Sequence, residues 1–260
     1  MNPFRALFGP ARREPARGFV FVGPQETGPL TTASLGSLIT HATLPPWIVV
    51  DHQISRIIVA RWPGRLWRVE VVKAAPAGDQ PHADAGYTRA SAVRIIEAAP
   101  VSSLFGDYGE AVCRVIEAAR GLDLKQVEQL ARTRSPLAGQ VYSKAWSTWL
   151  GRQGRPMADP SEDMDGVLAI GGSGAARSPI NSGLTLIQTI TSGRAIEVIG
   201  ATVMLTDPND PEGAYLDEPW ASAASALQDA GMSLGAPDLL EKADQDILLG
   251  PWRAVFESSN

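Results

Sequence analysis

IVVDHQISRIIVARWPGRLWRVEVV, residues 48–72, is the stretch with the clearest local fold signal in the chain. Its last part, from Leu66 to Val72, alternates between two kinds of side chain, which predicts a strand with one buried face. The face predicted to be buried carries Trp67, Val69 and Val71, and the opposite face carries Arg68 and Glu70. Pro63 and Gly64 precede this strand, and both residues favour a turn.

The part of this stretch before the turn predicts a helix. Asp51 is suited to an N-cap position, and the apolar residues after it share one helical face. Those residues are Ile54, Ile57, Ile58 and Trp62. Several of them are β-branched, which favours a strand, so a strand is the alternative interpretation of this segment.

The same patterns predict further elements on both sides of this stretch. Short apolar runs bounded by turn residues predict strands over residues 18–24, 47–50 and 91–97, and the spacing of leucines predicts a helix over residues 31–42. After residue 107, apolar stripes predict three successive helices. These stripes are Val112, Val115, Ile116, Ala119 and Leu122, then Leu124, Val127 and Leu130, then Val141, Ala145, Trp149 and Leu150.

The last third of the chain is harder to interpret. The apolar residues of 184–205 have helical spacing, which favours a helix. The segment is also rich in Thr, Ile and Val, and Ser192-Gly193 could turn a hairpin, so a helix and a β-hairpin are both retained as interpretations. Pro219-Trp220 predicts the start of a helix over residues 221–232. A final helix over residues 237–249 is predicted to end at Gly250-Pro251.

The fold class predicted from these elements is α+β, with a small sheet in an N-terminal mixed part and a mainly helical C-terminal part. Four segments are expected. Residues 1–17 form a basic arm, residues 18–150 a domain with C-terminal helices, residues 151–182 an excursion or linker rich in Gly, Pro and Ser, and residues 183–260 an acidic helical part.

The composition is that of a soluble globular protein. The chain has 260 residues, of which 44% are hydrophobic and 20% charged, which excludes a disordered chain. No apolar run approaches the roughly 20 residues that cross a bilayer, and the N-terminus lacks the apolar core of a signal peptide. The single cysteine, Cys113, cannot form an internal disulfide, so we expect a cytoplasmic protein. Arginine outnumbers lysine 19 to 4, a bias typical of GC-rich bacterial genomes.

The charge is divided unequally along the sequence. Residues 1–150 carry 17 basic and 12 acidic side chains, and residues 151–260 carry 6 basic and 16 acidic ones. The basic half could bind a polyanion, or the two halves could attract one another or simply be solvated. The arginines are scattered and not clustered, so the sequence does not favour nucleic acid as a partner.

No motif contains a complete catalytic or metal-binding set. The three histidines have no metal-ligand spacing, and we expect Asp207–Glu212 to be a surface turn and not a calcium loop. Gly171–Gly174 lacks the residues of a phosphate loop, and Ser173 lacks the last glycine of a nucleophile elbow, so a flexible loop is the prediction there. Cys113 lies beside an apolar helical stripe and is expected to be an inert thiol.

The order of strand, capped segment, turn and strand in residues 48–72 resembles the small ADP-ribosyltransferase fold of the rifampin-modifying kind. That family has a strand, then Asp-x-x-x-Ala, then Trp-x-Gly-x-Leu-Tyr-x-Val-Glu. The run GYTRASAVRIIEAAP, residues 86–100, is similar to the strand that follows the loop in that fold. The resemblance covers residues 18–100. It departs from the family in the first strand, where Phe21-Val22-Gly23-Pro24 replaces a Tyr-His-Gly-Thr-like element that grips the nicotinamide ribose.

The resemblance implies either an ADP-ribosyltransferase-like enzyme or a degenerate relative that binds NAD. It implies that Arg61, Arg65, Arg89 and Tyr87 contact the nucleotide and that Glu70 or Glu97 is the catalytic carboxylate. The absence of a complete catalytic set and the acidic C-terminal half favour a different function. We therefore expect a non-catalytic interaction or accessory protein, immunity or antitoxin-like, which binds a protein partner and uses no cofactor or metal. The ADP-ribosyltransferase is the alternative, and a hydrolase using Ser173 is a third hypothesis.

Overall fold

A computed structural model describes residues 16–26, 28–41, 45–82, 85–153, 178–207 and 210–257. The chain divides into two compact units. The first contains the chain up to Gln53 and then Arg65–Ala99, and the second contains Ile54–Gly64 and the chain from Pro100 onward. The first unit holds a small sheet and the second holds the helices, which confirms the α+β class.

The first unit is built on one antiparallel sheet. Its strands are β1 (Arg17–Val22), β2 (Leu38–Thr40), β3 (Ile48–Asp51), β4 (Arg65–Ala74) and β5 (Tyr87–Ala99). They lie in the order β2-β5-β3-β1-β4, and β4 also pairs with β5, so the sheet closes on itself. The 13-residue β5 makes this possible because different parts of it pair with β2, β3 and β4.

The alternation of side chains explains the core of this unit. Trp67, Val69 and Val71 are buried, as predicted, with Arg68 exposed between them. They pack with apolar residues from the other strands, among them Val20, Val22, Ile39, Ile48, Val50, Val93 and Ile95. The strands predicted over residues 18–24, 47–50, 66–72 and 91–97 are all confirmed.

The helix predicted over residues 31–42 is wrong. This segment forms turns and then the short strand β2. Gly36 has a φ of 81°, which a helix does not allow, and the Ser34 backbone N–H donates to the Ser37 hydroxyl oxygen. Local bonds of this kind compete with helix formation, and serine favours them.

The second unit contains six α-helices and a hairpin among its described residues. The helices are α1 (Gly109–Gly121), α2 (Leu124–Thr133), α3 (Ala138–Arg152), α4 (Gly183–Ile199), α5 (Trp220–Gly235) and α6 (Lys242–Trp252). The hairpin strands are β6 (Met204–Asp207) and β7 (Asp210–Leu216). The helices predicted after residue 107 are confirmed, and the ambiguous residues 184–205 form α4 and the start of the hairpin, with Ser192-Gly193 inside the helix.

Large apolar side chains hold the helices together. α1, α4 and α5 pack against one another, and fully buried residues such as Ile116, Ile187 and Leu227 lie on these helices. The 3₁₀ turn Val101–Phe105 precedes α1 and buries Leu104 and Phe105. Asp123 begins α2 with a capping box, in which its side chain accepts a bond from Gln126 N–H.

The predicted ends of two late elements need correction. α6 does not stop at Gly250-Pro251; it contains Pro251 and continues into the π-helical turn Arg253–Glu257. The Asp207–Glu212 segment is predicted from the sequence as a surface turn. Asp207 belongs to strand β6 of the hairpin, and residues 210–212 belong to strand β7.

The helix predicted between Asp51 and Trp62 is also wrong. Only the 3₁₀ turn Ile54–Arg56 forms there, and the next residues are extended. Ile57 and Val59 are buried whereas Ile58 is 42% exposed, so side chains alternate as they do in an extended chain. The backbone is held by distant side chains, because the Val59 N–H donates to the Ser182 hydroxyl oxygen over 2.9 Å.

Trp62 and Trp67, which flank the Pro63-Gly64 turn, belong to different units. Trp67 lies in the core of the sheet. In the second unit, the Trp62 ring lies 5.9 Å from the Phe105 ring, and Trp62 Nε1 donates to Glu117 Oε1 over 2.6 Å. The turn is therefore the place where the chain passes from one unit to the other.

Replacing Asn181 with alanine is expected to lower the free energy of unfolding by about 2–3 kcal/mol. Asn181 is buried, and its Nδ2 donates to the Ile57 carbonyl oxygen over 2.8 Å and to the Leu104 carbonyl oxygen over 3.1 Å. Its φ is 53°, a left-handed conformation in which alanine is strained. Urea denaturation measures the change, and Asn181→Gly is the control that removes the side chain without the strain. An alanine variant as stable as the parent would contradict the role of these two bonds.

Several predictions fall on residues outside the described part of the chain. These are the basic arm as far as residue 15, most of the 151–182 excursion, the short strand predicted at Val167–Ile170, and the Gly171–Gly174 loop with Ser173. They stay predictions.

Candidate functional site

The carboxylates predicted as catalysts, Glu70 and Glu97, lie on the neighbouring strands β4 and β5. Arg17 Nη2 lies 3.5 Å from Glu70 Oε2, and Arg68 Nη1 lies 3.3 Å from Glu97 Oε2. Arg68 and Glu97 face each other directly in the strand register. Cross-strand ion pairs of this kind add modestly to the stability of a sheet.

The predicted nucleotide contacts Tyr87 and Arg89 lie together at the start of β5. The Arg89 guanidinium is 6.0 Å from the centre of the Tyr87 ring, and its Nη1 donates to the Asp79 carbonyl oxygen over 2.8 Å. Between them, Thr88 Oγ1 lies 2.8 Å from His52 Nε2. The arginine therefore anchors the loop before β5 as well as stacking on the tyrosine.

The other predicted nucleotide contacts are Arg61 and Arg65. Arg65 lies at the start of β4 and donates from Nη1 to the Thr31 carbonyl oxygen over 3.2 Å. Arg61 belongs to the second unit, whereas Arg65 and Arg89 belong to the first. Glu70 and Glu97 pair with Arg17 and Arg68 and with none of these three arginines. NAD binding and the ADP-ribosyltransferase resemblance stay predictions.

Cys113, predicted to be an inert thiol, lies on α1 and is partly buried. Burial raises the pKa of the Cys113 thiol to about 11, and the nearby carboxylates of Glu117 and Glu110 add to the rise. Such a thiol is protonated near neutral pH and is a poor nucleophile. Among the described residues, no three His, Cys, Asp or Glu side chains come close enough to hold a metal ion.

The second unit contains a long segment without positive charge. Residues 195–241 include no Lys, Arg or His, yet they include nine Asp and Glu residues. In the fold this segment runs from the last turns of α4 through the β6–β7 hairpin and α5 to the start of α6. Acidic charge is thus concentrated on a defined set of consecutive elements.

Among the described residues, several acidic side chains of the C-terminal half are neutralised inside the unit. Basic side chains of α3 and α6 make most of these pairs, which join Lys144 with Asp244, Arg152 with Asp238, and both Lys242 and Arg253 with Asp246. Of these pairs, only that of Lys144 with Asp244 joins the basic half to the acidic half, and it supports the hypothesis that the two halves attract one another. Within residues 195–241, the acids with described side chains and no ion pair are Asp217 and Glu218.

Asp217 and Glu218 lie just before α5 in a fixed local arrangement. The Glu218 N–H donates to Asp217 Oδ1 over 2.8 Å, and the Ser222 hydroxyl donates to Glu218 Oε1 over 2.9 Å. The Asp217 N–H donates to the Val203 carbonyl oxygen over 2.8 Å, which ties the base of the hairpin to the start of α5. Acids are favoured at this position because the N-terminus of a helix carries partial positive charge.

Exposed apolar side chains accompany these two acids. Ile196 and Ile199 at the end of α4 are 43% and 45% exposed, and Tyr215 on β7 is 48% exposed. The 3₁₀ turn Ala201–Val203 follows α4 directly, and Val203 accepts the bond from Asp217, so these elements meet at one end of the unit. We call Ile196, Ile199, Tyr215, Asp217 and Glu218 the acidic–apolar end.

Part of the acidic–apolar end could be predicted from the sequence. The absence of basic residues over 47 positions is visible by inspection, and it is sharper than the overall acidity of residues 151–260. The sequence does not predict that Tyr215 is exposed, because a tyrosine next to a leucine in a strand is buried about as often as it is exposed.

The helices give no sign of membrane insertion. Every helix in the described part of the chain is too short or too polar to span a lipid bilayer. Comparison with models of known protein families gives no match for this chain. Comparisons with curated proteins and with solved structures also give no match.

Proposed function

We propose that this protein is a non-catalytic cytoplasmic interaction protein, of the immunity or antitoxin kind, that binds a basic protein partner through its acidic–apolar end. The observation that carries this proposal is the segment 195–241, which has no basic residue and places unpaired acids beside exposed apolar side chains. Its bacterial origin is part of the proposal and rests on the arginine-rich composition.

The two kinds of side chain have complementary tasks in such an interface. Unpaired carboxylates attract a positively charged partner, raise the association rate and reject acidic proteins. Exposed apolar side chains such as Tyr215 become buried when the partner docks, and aromatic residues are enriched at the centres of interfaces. Ion-paired acids such as Asp244 and Asp246 contribute less, because their charge is already compensated.

The positions of the predicted catalytic residues also support a binding function. Glu70 and Glu97 are held in cross-strand ion pairs with Arg17 and Arg68. A general acid or base must lie within hydrogen-bond reach of the reacting group, and catalysis needs several such groups to converge.

The double variant Asp217→Asn, Glu218→Gln is expected to bind the native partner about tenfold more weakly. Both substitutions preserve the shape of the side chains and the hydrogen-bond acceptors while removing two negative charges. The measurement is affinity capture from the native cell with quantitative mass spectrometry, repeated at rising salt. The captured partner should be basic, should be present in stoichiometric amount, and should be released by salt.

A matched control distinguishes this surface from acidity in general. Asp107→Asn, Glu110→Gln removes two exposed acids that lie beside the N-terminus of α1, outside residues 195–241. This control is expected to retain the partner. Equal loss in both variants, or the absence of any stoichiometric basic partner, would contradict the proposed function.

A further inference from the structure

We propose that the partner binds as an added β-strand on the outer edge of β7, through an extended segment in which basic residues alternate with apolar ones. This inference rests on the proposed function and specifies how the acidic–apolar end is occupied. Addition of a strand to an open sheet edge is a recurring mode of peptide recognition, in which the backbone gives affinity and alternate side chains give specificity.

The β6–β7 hairpin forms a two-stranded sheet, so each strand has an outer edge. The Asp217 N–H bonds to the Val203 carbonyl, and Leu205 lies opposite Tyr215 in the register. Because the backbone of an antiparallel strand alternates in direction, Tyr215 bonds toward β6 while the N–H and C=O groups of Ala214 point outward. Ala214 is exposed, and no other described element bonds to its backbone.

The edge of β7 is better suited to an added strand than the edge of β6. β7 has seven residues and β6 has four, and the regular part of β7, residues 214–216, excludes Pro211 and the register shift between Thr206 and Asp207. The N–H of Met204, at the start of β6, is already donated to the Ala201 carbonyl oxygen. β7 also contains Asp210 and Glu212 in its sequence and leads directly into Asp217 and Glu218.

The charge of this edge determines which occupant fits. Natural sheets protect open edges with lysine, other charged residues or proline. The hairpin has no lysine and its charged residues are all acidic, and Pro211 of β7 precedes the regular part of the edge at residues 214–216. A second copy of the hairpin would bring acidic residues against acidic residues, which is unfavourable. A basic strand would instead be attracted to the edge, and its apolar side chains could pack beside the exposed Tyr215.

The test uses a fluorescein-labelled peptide that alternates lysine and valine over twelve residues, with the full-length protein. Fluorescence anisotropy should show saturable binding, and a matched peptide with glutamate for lysine should not bind. Ala214→Pro, which removes the outward N–H, is expected to weaken binding about tenfold, whereas Ala214→Ser is expected to bind like the parent. Thr206→Pro, on the opposite edge, should leave binding unchanged. Equal melting temperatures show that the variants remain folded.

The outcomes separate this inference from the proposed function. Failure of the lysine–valine peptide to bind, or equal weakening by the two proline variants, overturns strand addition at β7. A second outcome would overturn strand addition alone. In it, the Ala214→Pro variant captures the native partner as well as the parent does, and the Asp217→Asn, Glu218→Gln variant loses that partner. The proposed function would then stand. If the peptide binds at β7 but no native basic partner is captured, the proposed function is the part that fails.

Discussion

Replacing Arg134 with methionine is expected to lower the free energy of unfolding by about 3–5 kcal/mol. Arg134 follows α2, and its Nε donates to Oδ2 of Asp229 on α5 over 2.8 Å. The Asp229 side chain is 3% exposed, whereas that of Arg134 is 26% exposed. Removing the arginine leaves a buried carboxylate without its counter-ion, which costs more than the loss of the contact itself. Urea denaturation followed by tryptophan fluorescence measures the change.

The same variant should show a characteristic pH dependence. Burial raises the pKa of Asp229, and the hydrogen bond and charge of Arg134 oppose that rise. A carboxyl group whose pKa is raised on folding contributes its stability below its unfolded pKa and loses that contribution as pH rises through the folded pKa. Without Arg134 the folded pKa rises further. The deficit of the variant relative to the parent is therefore expected to be largest near neutral pH and to shrink toward about pH 4.

A surface arginine provides the control. Arg120 Nη1 lies 2.6 Å from Glu117 Oε2, and the two side chains are 42% and 50% exposed. Arg120→Met is expected to cost less than about 1 kcal/mol, because water replaces the lost partner. Similar losses in both variants would show that burial of Asp229 does not govern the energy of its pair. The double variant Arg134→Met, Asp229→Leu should recover much of the loss, since no unpaired charge remains.

The sequence predicted the elements whose structure depends on their own pattern. Residues 67–71 alternate between apolar and charged side chains, and the buried Val69 and exposed Arg68 follow that alternation in the sheet. The three stripes after residue 107 became α1, α2 and α3 because each carries a continuous apolar face, as Val112, Val115 and Ile116 do on α1. Local periodicity and tertiary burial agree in these elements, so the pattern was sufficient.

The failed predictions fall where contacts distant in sequence determine the backbone. The segment after Asp51 has helical spacing, but its extended backbone bonds to Asn181 and Ser182, more than 120 positions away. No window of local sequence contains that information. The closure of the sheet could not be predicted for the same reason. The long strand β5 closes the sheet only because β3 and β4 both pair with it, and these strands are distant in sequence.

The candidate site was predicted in part. The acidic C-terminal half suggested a basic partner, but a charge count cannot show which acids are already neutralised. The pairs of Lys144 with Asp244 and of Arg152 with Asp238 join residues about 90–100 positions apart, and only the fold brings them together. Among the acids of residues 195–241 with described side chains, Asp217 and Glu218 beside Tyr215 have no ion pair, which defines a smaller surface than the charge count indicated.

Replacing Gly109 with alanine is expected to lower the free energy of unfolding by about 4 kcal/mol, near the upper end for a single substitution. Gly109 begins α1 and is buried, and a Cβ added to it would lie 1.8 Å from the Ser102 carbonyl oxygen. This neighbour is backbone and cannot rotate away as a side chain could. The 3₁₀ turn Val101–Phe105 would have to shift, which would disturb the buried Leu104 and Phe105. Thermal and urea denaturation measure the loss.

Gly193→Ala is the matched control, because it makes the same chemical change where there is room. Gly193 lies inside α4 and is exposed, and a Cβ added to it would meet no atom within 4 Å. Alanine favours the helix over glycine, so this variant is expected to gain about 0.5–1 kcal/mol. The two substitutions should thus change stability in opposite directions. A stable Gly109→Ala protein would mean that α1 does not approach Ser102 as closely as the structure shows, and that the turn before it packs differently.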